Sequence, residues 1–162
     1  LGLMHYYLGQ HDAAIEAIRS GVELLPNDHL MWVSLGDVLT AAGRHDDATT
    51  AYERASELVE VELGVNPRDP GLLMDVAWIY AMLGDEQRAR QDIGRAREIA
   101  PDDPYTSYYE GLILARYGST EVALDALELA VTNGYPITIL KAEPLLASLH
   151  DNPRFVALTN AN

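Results

Sequence analysis

Five histidines, His5, His11, His29, His45 and His150, are the residues most capable of metal or acid–base chemistry. A zinc site on a helix needs two of them three or four residues apart, so that both imidazoles face one ion. No pair has that spacing, and His11 and His45 are separated by 34 residues. Cysteine is absent, which removes disulfides, thiolate metal sites and cysteine nucleophiles. The paired carboxylates Asp46-Asp47, Asp85-Glu86 and Asp102-Asp103 fall at expected helix starts, where negative charge complements the helix dipole. A general acid–base pair would need a closed pocket, and nothing local encloses one. Ser34, Ser107 and Ser119 lack a nucleophile elbow. Gly2, Gly9 and Gly21 are repeat glycines rather than a phosphate-cradling loop. The expectation is a chain that is no enzyme and carries neither metal nor cofactor.

Composition points the same way. The 162 residues are 48% hydrophobic, ample for a core. Eleven basic against 25 acidic residues give a formal charge of −14. Such a surface repels phosphate, so nucleic acid and anionic membrane are not expected partners. The acidity serves solubility or favours basic partners. No secretory-type leader and no apolar run of spanning length occurs, which leads to an expectation of a soluble, cytoplasmic protein. A Cys-free chain suits the periplasm equally. Leu1 falls inside a helical pattern, as in a piece of a longer chain.

The elements that must position any site come from an internal repeat. Gly9, Gly43, Gly84 and Gly118 are separated by 34, 41 and 34 residues, and Ala14, Ala48, Ala89 and Ala123 keep the same steps. Bulky residues follow each alanine by four (Ile18, Tyr52, Ile93, Leu127), and small ones follow three later (Gly21, Ala55, Ala96, Ala130). Pro26, Pro67 and Pro101 are spaced 41 and 34. Series that keep one register define a repeating unit.

The period, the Trp32-x-x-Leu35-Gly36 run and the following Ala48 and Tyr52 resemble the tetratricopeptide repeat. The resemblance covers roughly residues 1–135. It implies an all-α fold, a right-handed α-α superhelix of about four helix-turn-helix hairpins. Small residues at Gly36, Ala77 and Gly111 would let paired helices approach, and the glycines at 9, 43, 84 and 118 suit a left-handed helix end. The units are 1–28 (lacking its first six residues), 29–69, 70–103 and 104–135. Asp69-Pro70 and Asp103-Pro104 mark helix starts. The second unit has seven extra residues, about two turns, read as an extended second helix that stops near Gly64. The tail, 136–162, resembles the closing segment of bacterial multidomain repeat proteins. It reads as short helices that begin at Pro144 and Pro153, with Asn152 as an N-cap. Leu145, Leu146, Leu149, Phe155 and Leu158 would cover the open end of the last hairpin.

The family geometry implies a concave groove lined by the first helix of each unit. Carried onto this chain, its lining includes Tyr6 and Tyr7, then Val33 and Asp37, then Met74, Asp75, Trp78 and Met82, then Tyr105, Tyr108, Tyr109, Leu112 and Arg116. Aromatics and methionine suit contact with another polypeptide. Trp32 is expected inside the stack and Trp78 on the groove, and the tyrosine cluster offers a second docking place for the tail. The carboxylate clamp of chaperone adaptors is absent, because its positions hold Leu3, Val33, Ser34, Gly71 and Asp75. The implied function is a protein–protein interaction module of a larger bacterial protein. Its partner would be an apolar peptide or protein segment, with basic residues meeting Asp37 and Asp75. A self-associating module (a homo-oligomer) and a regulatory accessory domain of an attached kinase or transcription regulator are the alternatives.

Overall fold

The computed structural model describes residues 2–160. Eight helices form four antiparallel hairpins: α1 (Gly2–Tyr7) with α2 (His11–Leu24), α3 (His29–Ala41) with α4 (His45–Val65), α5 (Pro70–Leu83) with α6 (Glu86–Ile99), and α7 (Pro104–Arg116) with α8 (Thr120–Thr132). A tail of α9 (Ile137–Ala142), a 3-10 helix (Pro144–Leu149) and α10 (Pro153–Thr159) follows. No β-strand occurs among the described residues. The chain is thus the all-α repeat array that its sequence implies.

Local chemistry sets the helix ends. The Asp69 carboxylate accepts hydrogen bonds from the amides of Gly71 (2.9 Å) and Leu72 (3.2 Å), and Pro70 opens α5 with its φ already set. Asp28, Asp103 and Asn152 cap α3, α7 and α10 in the same way. The first helix of each hairpin ends on a glycine with positive φ, such as Gly84 at 87°. The next residue then bonds back five positions, as Asp85 N–H does to the Tyr80 carbonyl (2.9 Å). This closing motif satisfies carbonyls that the helix end would otherwise strand. It recurs at Gly9, Gly43, Gly118 and, after α8, at Gly134.

Within a hairpin, a missing side chain sets the spacing. A Cβ on Gly36 would meet the Tyr52 ring at 2.6 Å, and one on Gly111 would meet Leu127 at 2.5 Å. Tyr52 and Leu127 are fully buried there. The alanine series at 14, 48, 89 and 123 is buried as well.

The seven additional residues of the second unit extend α4 into one helix of 21 residues that passes Gly64 and ends at Val65. The extension has partners. Glu60 accepts the Tyr80 hydroxyl from α5, and Glu62 sits 2.9 Å from His29 Nδ1 on α3.

The tail covers the last hairpin. Leu140, Leu146, Leu149 and Phe155 are buried. Arg154 reaches Glu121 (2.9 Å), Asp125 (2.8 Å) and Glu128 (2.9 Å) along the outer face of α8. Three carboxylates at helical spacing are thereby neutralised in part by one guanidinium.

Two glycines test the seam. Gly36→Ala gains helix propensity but drives a methyl into a buried ring, so it is expected to lower stability by about 1–3 kcal/mol. Gly94 lies inside α6 with open space around its Cα. Gly94→Ala is therefore expected to raise stability by roughly 0.5–1 kcal/mol. Urea titration of both variants checks the pair, and the same sign for both would contradict the seam.

Candidate functional site on the concave face

Helices α1, α3, α5 and α7 turn one face inward. Tyr6, Tyr7, Val33, Asp37, Trp78, Tyr105, Tyr108, Tyr109 and Leu112 meet there around a cavity of about 450 Å³. The rings interlock edge-to-face, with Trp78 and Tyr109 centroids at 5.8 Å, Tyr108 and Tyr109 at 5.3 Å, and Tyr6 and Tyr7 at 5.1 Å. Such contacts add to the gain from area burial.

One wall of the cavity comes from the tail. Ile139, Glu143 and Leu145 line it, as does Tyr135, which stacks on Tyr108 at 4.1 Å. Glu143 is only 3% exposed. Its two oxygens accept the hydroxyls of Tyr6 (2.7 Å) and Tyr108 (2.8 Å), and one also accepts the Leu145 amide (3.1 Å). A single carboxylate therefore ties the first unit, the last unit and the tail together. Burial, then the nearby Glu143 charge, pushes the Tyr6 and Tyr108 hydroxyls far up. They stay neutral donors.

Asp37 is the second carboxylate on the cavity. The Tyr52 hydroxyl (2.6 Å) and the Trp78 indole N–H (2.9 Å) both donate to its Oδ1. Loss of solvent pushes its pKa up to about 7, against the pull of these two hydrogen bonds, and Glu143 adds to the rise.

Four of the residues assigned to the groove lie elsewhere. Asp75 is 3.1 Å from His29 Nε2, so its charge is engaged within the stack. Burial of His29 disfavours its charged form. Hydrogen bonds to Asp75 and Glu62 outweigh that, the pKa is raised, and the imidazolium can donate from both nitrogens. Met82 and Arg116 line a separate hollow with Thr40, His45 and Tyr52, and Arg116 Nε donates to the Ala81 carbonyl (2.9 Å). Met74 packs partly buried against the core.

The tryptophan contrast also departs from the sequence reading. Trp78 faces the cavity yet is 2% exposed, because Tyr109 and its bond to Asp37 hold it down. Trp32 is half-buried at the α2–α3 turn, with its N–H on the Pro26 carbonyl (2.9 Å). Sequence reasoning missed Glu143, because no local pattern links a residue of the tail to a tyrosine 137 positions earlier.

The family model of the tetratricopeptide repeat matches residues 28–102, from the cap of α3 to the end of α6. This chain is a tetratricopeptide repeat protein. Over 125 residues it is 29% identical to the cell division cycle protein 16 homolog of Mus musculus, a match covering 73% of this chain and 18% of that protein. Over 58 residues it is 40% identical to the peroxisomal targeting signal receptor of Saccharomyces cerevisiae, covering 36% of this chain and 10% of the receptor. The chain thus spans under a fifth of either relative. Among solved structures, a thermophilic TPR protein of Thermus thermophilus has the same fold, with a TM-score of 0.59 at 20% identity over 98% of this chain and 84% of that one. No helix among the described residues of this repeat protein is long and apolar enough to cross a membrane.

Burial ranks the tryptophans. Trp78→Ala is expected to lower stability by about 3–5 kcal/mol. Trp32→Ala is expected to lower it by roughly half that, in proportion to the area it covers. Denaturant titration decides, and the opposite order would overturn this account of the cavity floor.

Asp37 predicts a pH dependence. The folded carboxyl keeps its proton up to about pH 7, whereas the ordinary value is 3.8. Its contribution to stability is present below the ordinary value and is lost as pH rises to about 7. Asn at this position keeps an acceptor for Tyr52 and Trp78 but carries no charge. The stability of Asp37→Asn relative to wild type is expected to climb between pH 4 and 7 and to level off above. A flat difference in melting curves over that range would contradict the assignment.

Proposed function

We propose that this chain is a protein-interaction module whose concave face receives a segment of a partner polypeptide, apolar and bearing basic residues. One observation carries the reading: the cavity is walled mostly by aromatic and aliphatic side chains, and among the described residues its only acid or base groups besides tyrosine are Asp37 and Glu143. Large, rigid rings give contact area at little entropic cost. A lysine or arginine entering such a face meets carboxylates, whereas an acidic peptide adds like charge to a poorly solvated site. The relative named as a receptor for a peroxisomal targeting signal supports a segment-binding role for the shared repeats.

The tail shares this face, so a partner segment would lie alongside Ile139 and Leu145 or displace them. Ordering a flexible segment offsets part of the contact energy, which sets the affinity on the order of micromolar. Salt should weaken it only slightly if the apolar term dominates.

The test is a matched set of apolar, basic-apolar and acidic peptides, measured by Trp fluorescence with wild type and Trp78→Phe. Basic-apolar peptides are expected to bind tightest, and Trp78→Phe to abolish most of the spectral response. Tightest binding by the acidic set would overturn the reading.

A further inference from the structure

The cavity on the concave face has a charge imbalance that a peptide groove does not require. Elsewhere in the stack, shielded carboxylates that are not helix caps have a cation beside them: Asp75 has His29, Asp92 has Arg95 and Glu110 has Arg97. Asp37 and Glu143 have none. Asp37 is held by a hydroxyl and an indole N–H, and Glu143 by two hydroxyls and an amide. All of these donors are neutral. No Lys, Arg or His among the described residues lines the cavity.

What does line it is seven aromatic rings, among them Trp78, Tyr7 and Tyr109. Aromatic faces carry negative potential and attract cations placed over them. Glu143, Asp37 once it has given up its proton above about pH 7, and a ring wall with no cation together make a complement for positive charge. The type of cation follows from the donors. A hard metal ion needs six or more oxygen ligands, and two carboxylates with three of their four oxygens already engaged supply too few. A primary ammonium or a guanidinium brings three or five N–H groups that each need an acceptor, which suits the lysine or arginine of a partner segment to the open rim, where water supplies the remaining acceptors, rather than to the interior. Three of the four carboxylate oxygens are already engaged, and apart from Ser34 and the tyrosine hydroxyls the remaining lining is ring and alkyl. An alkylated ammonium has few or no N–H groups and a large, weakly hydrated surface, so it uses ring faces and long-range charge.

We propose that this cavity binds an alkylated ammonium group, held between Asp37 and Glu143 and walled by the tyrosines and Trp78. A volume of about 450 Å³ lies in the range of small-ligand pockets. Leu3, Leu30 and Tyr105, each about half exposed, form the rim over which the carrier chain would lie. The group could arrive on a small molecule such as choline or on a trimethyl-lysine side chain of a partner. The second source rests on the segment-binding reading above, and the first does not.

The experiment uses the whole chain at about pH 8.5, where Asp37 has given up its proton. Choline and its neutral isostere 3,3-dimethyl-1-butanol are titrated at matched ionic strength by calorimetry. Trp78 emission is followed in parallel in a Trp32→Phe background. Choline is expected to bind saturably and at least tenfold more tightly than the isostere. Asp37→Asn and Glu143→Gln, which keep an acceptor oxygen, are expected to weaken choline at least fivefold while melting cooperatively. A basic-apolar peptide is then compared with its trimethyl-lysine form. At least fivefold tighter binding of the methylated form identifies a partner side chain as the source, and choline binding without that gain identifies a small molecule. Equal binding of choline and isostere on the unmodified chain would overturn the proposal without recourse to any variant. So would the absence of binding by both choline and the trimethyl-lysine peptide. In that last case, binding of the unmethylated peptide would leave the segment-binding reading standing, so the two failures are distinguishable.

Discussion

The architecture depends on how closely the two helices of each hairpin approach. At Gly36 the backbone of α3 lies against the ring of Tyr52, and at Gly111 the backbone of α7 lies against Leu127. A single methyl on either glycine would overlap its neighbour. Well-packed interiors have no slack to absorb that overlap. The absent side chain thus fixes the interhelical distance, and the same seam recurring at one register lets successive hairpins stack with a constant turn. Curvature accumulates from that constancy. It leaves α1 and α7 near enough for Tyr6 and Tyr108 to share the Glu143 carboxylate.

That shared carboxylate gives the concave face a closed character. A solenoid stabilised by neighbour contacts alone is open along its inner surface. Here the tail folds back into that surface, with Tyr135 stacked on Tyr108 and Glu143 reaching α1. The arrangement also explains why Trp78 behaves as core. Its indole faces the cavity, but Tyr109 on one side and Asp37 on the other leave it almost no contact with water. Groove and core are the same side chains in the middle of this molecule.

Charge is distributed in two regimes. On the outer surface, pairs such as Arg44–Asp47, Arg54–Glu57 and Arg90–Glu86 lie one helical turn apart. Exposed pairs of this kind contribute little stability and chiefly keep an acidic surface tolerable. Inside, the balance differs: His29 bridges Glu62 and Asp75 across three helices, while Asp37 and Glu143 rely on neutral donors. A carboxylate served only by hydroxyls, an indole and an amide is not balanced in charge, which holds for Glu143 and, above about pH 7, for Asp37. The concave face consequently carries negative potential in a place that water screens poorly.

The fold was legible in the sequence because its determinants are local and repeat. A glycine at a helix end, an Asp-Pro at a helix start and a small residue facing a bulky one sixteen positions on are each read within a single unit. Four copies in register remove the ambiguity of one. The long α4 was legible for the same reason, since an unbroken run of helix formers needs no distant partner to remain a helix. The site was legible only as a face. Register placed Tyr6, Tyr108 and Trp78 on the inner helices, but not what would cover them. Tertiary structure decided that Glu143 enters the face, that Asp75 is taken by His29, that Met82 and Arg116 belong to another hollow, and that Trp78 rather than Trp32 is the buried indole. Those outcomes depend on contacts between residues tens to more than a hundred positions apart. The spacing of side chains along a helix fixes the direction of a residue, while its solvent exposure and charge partner depend on whichever distant segment packs over it.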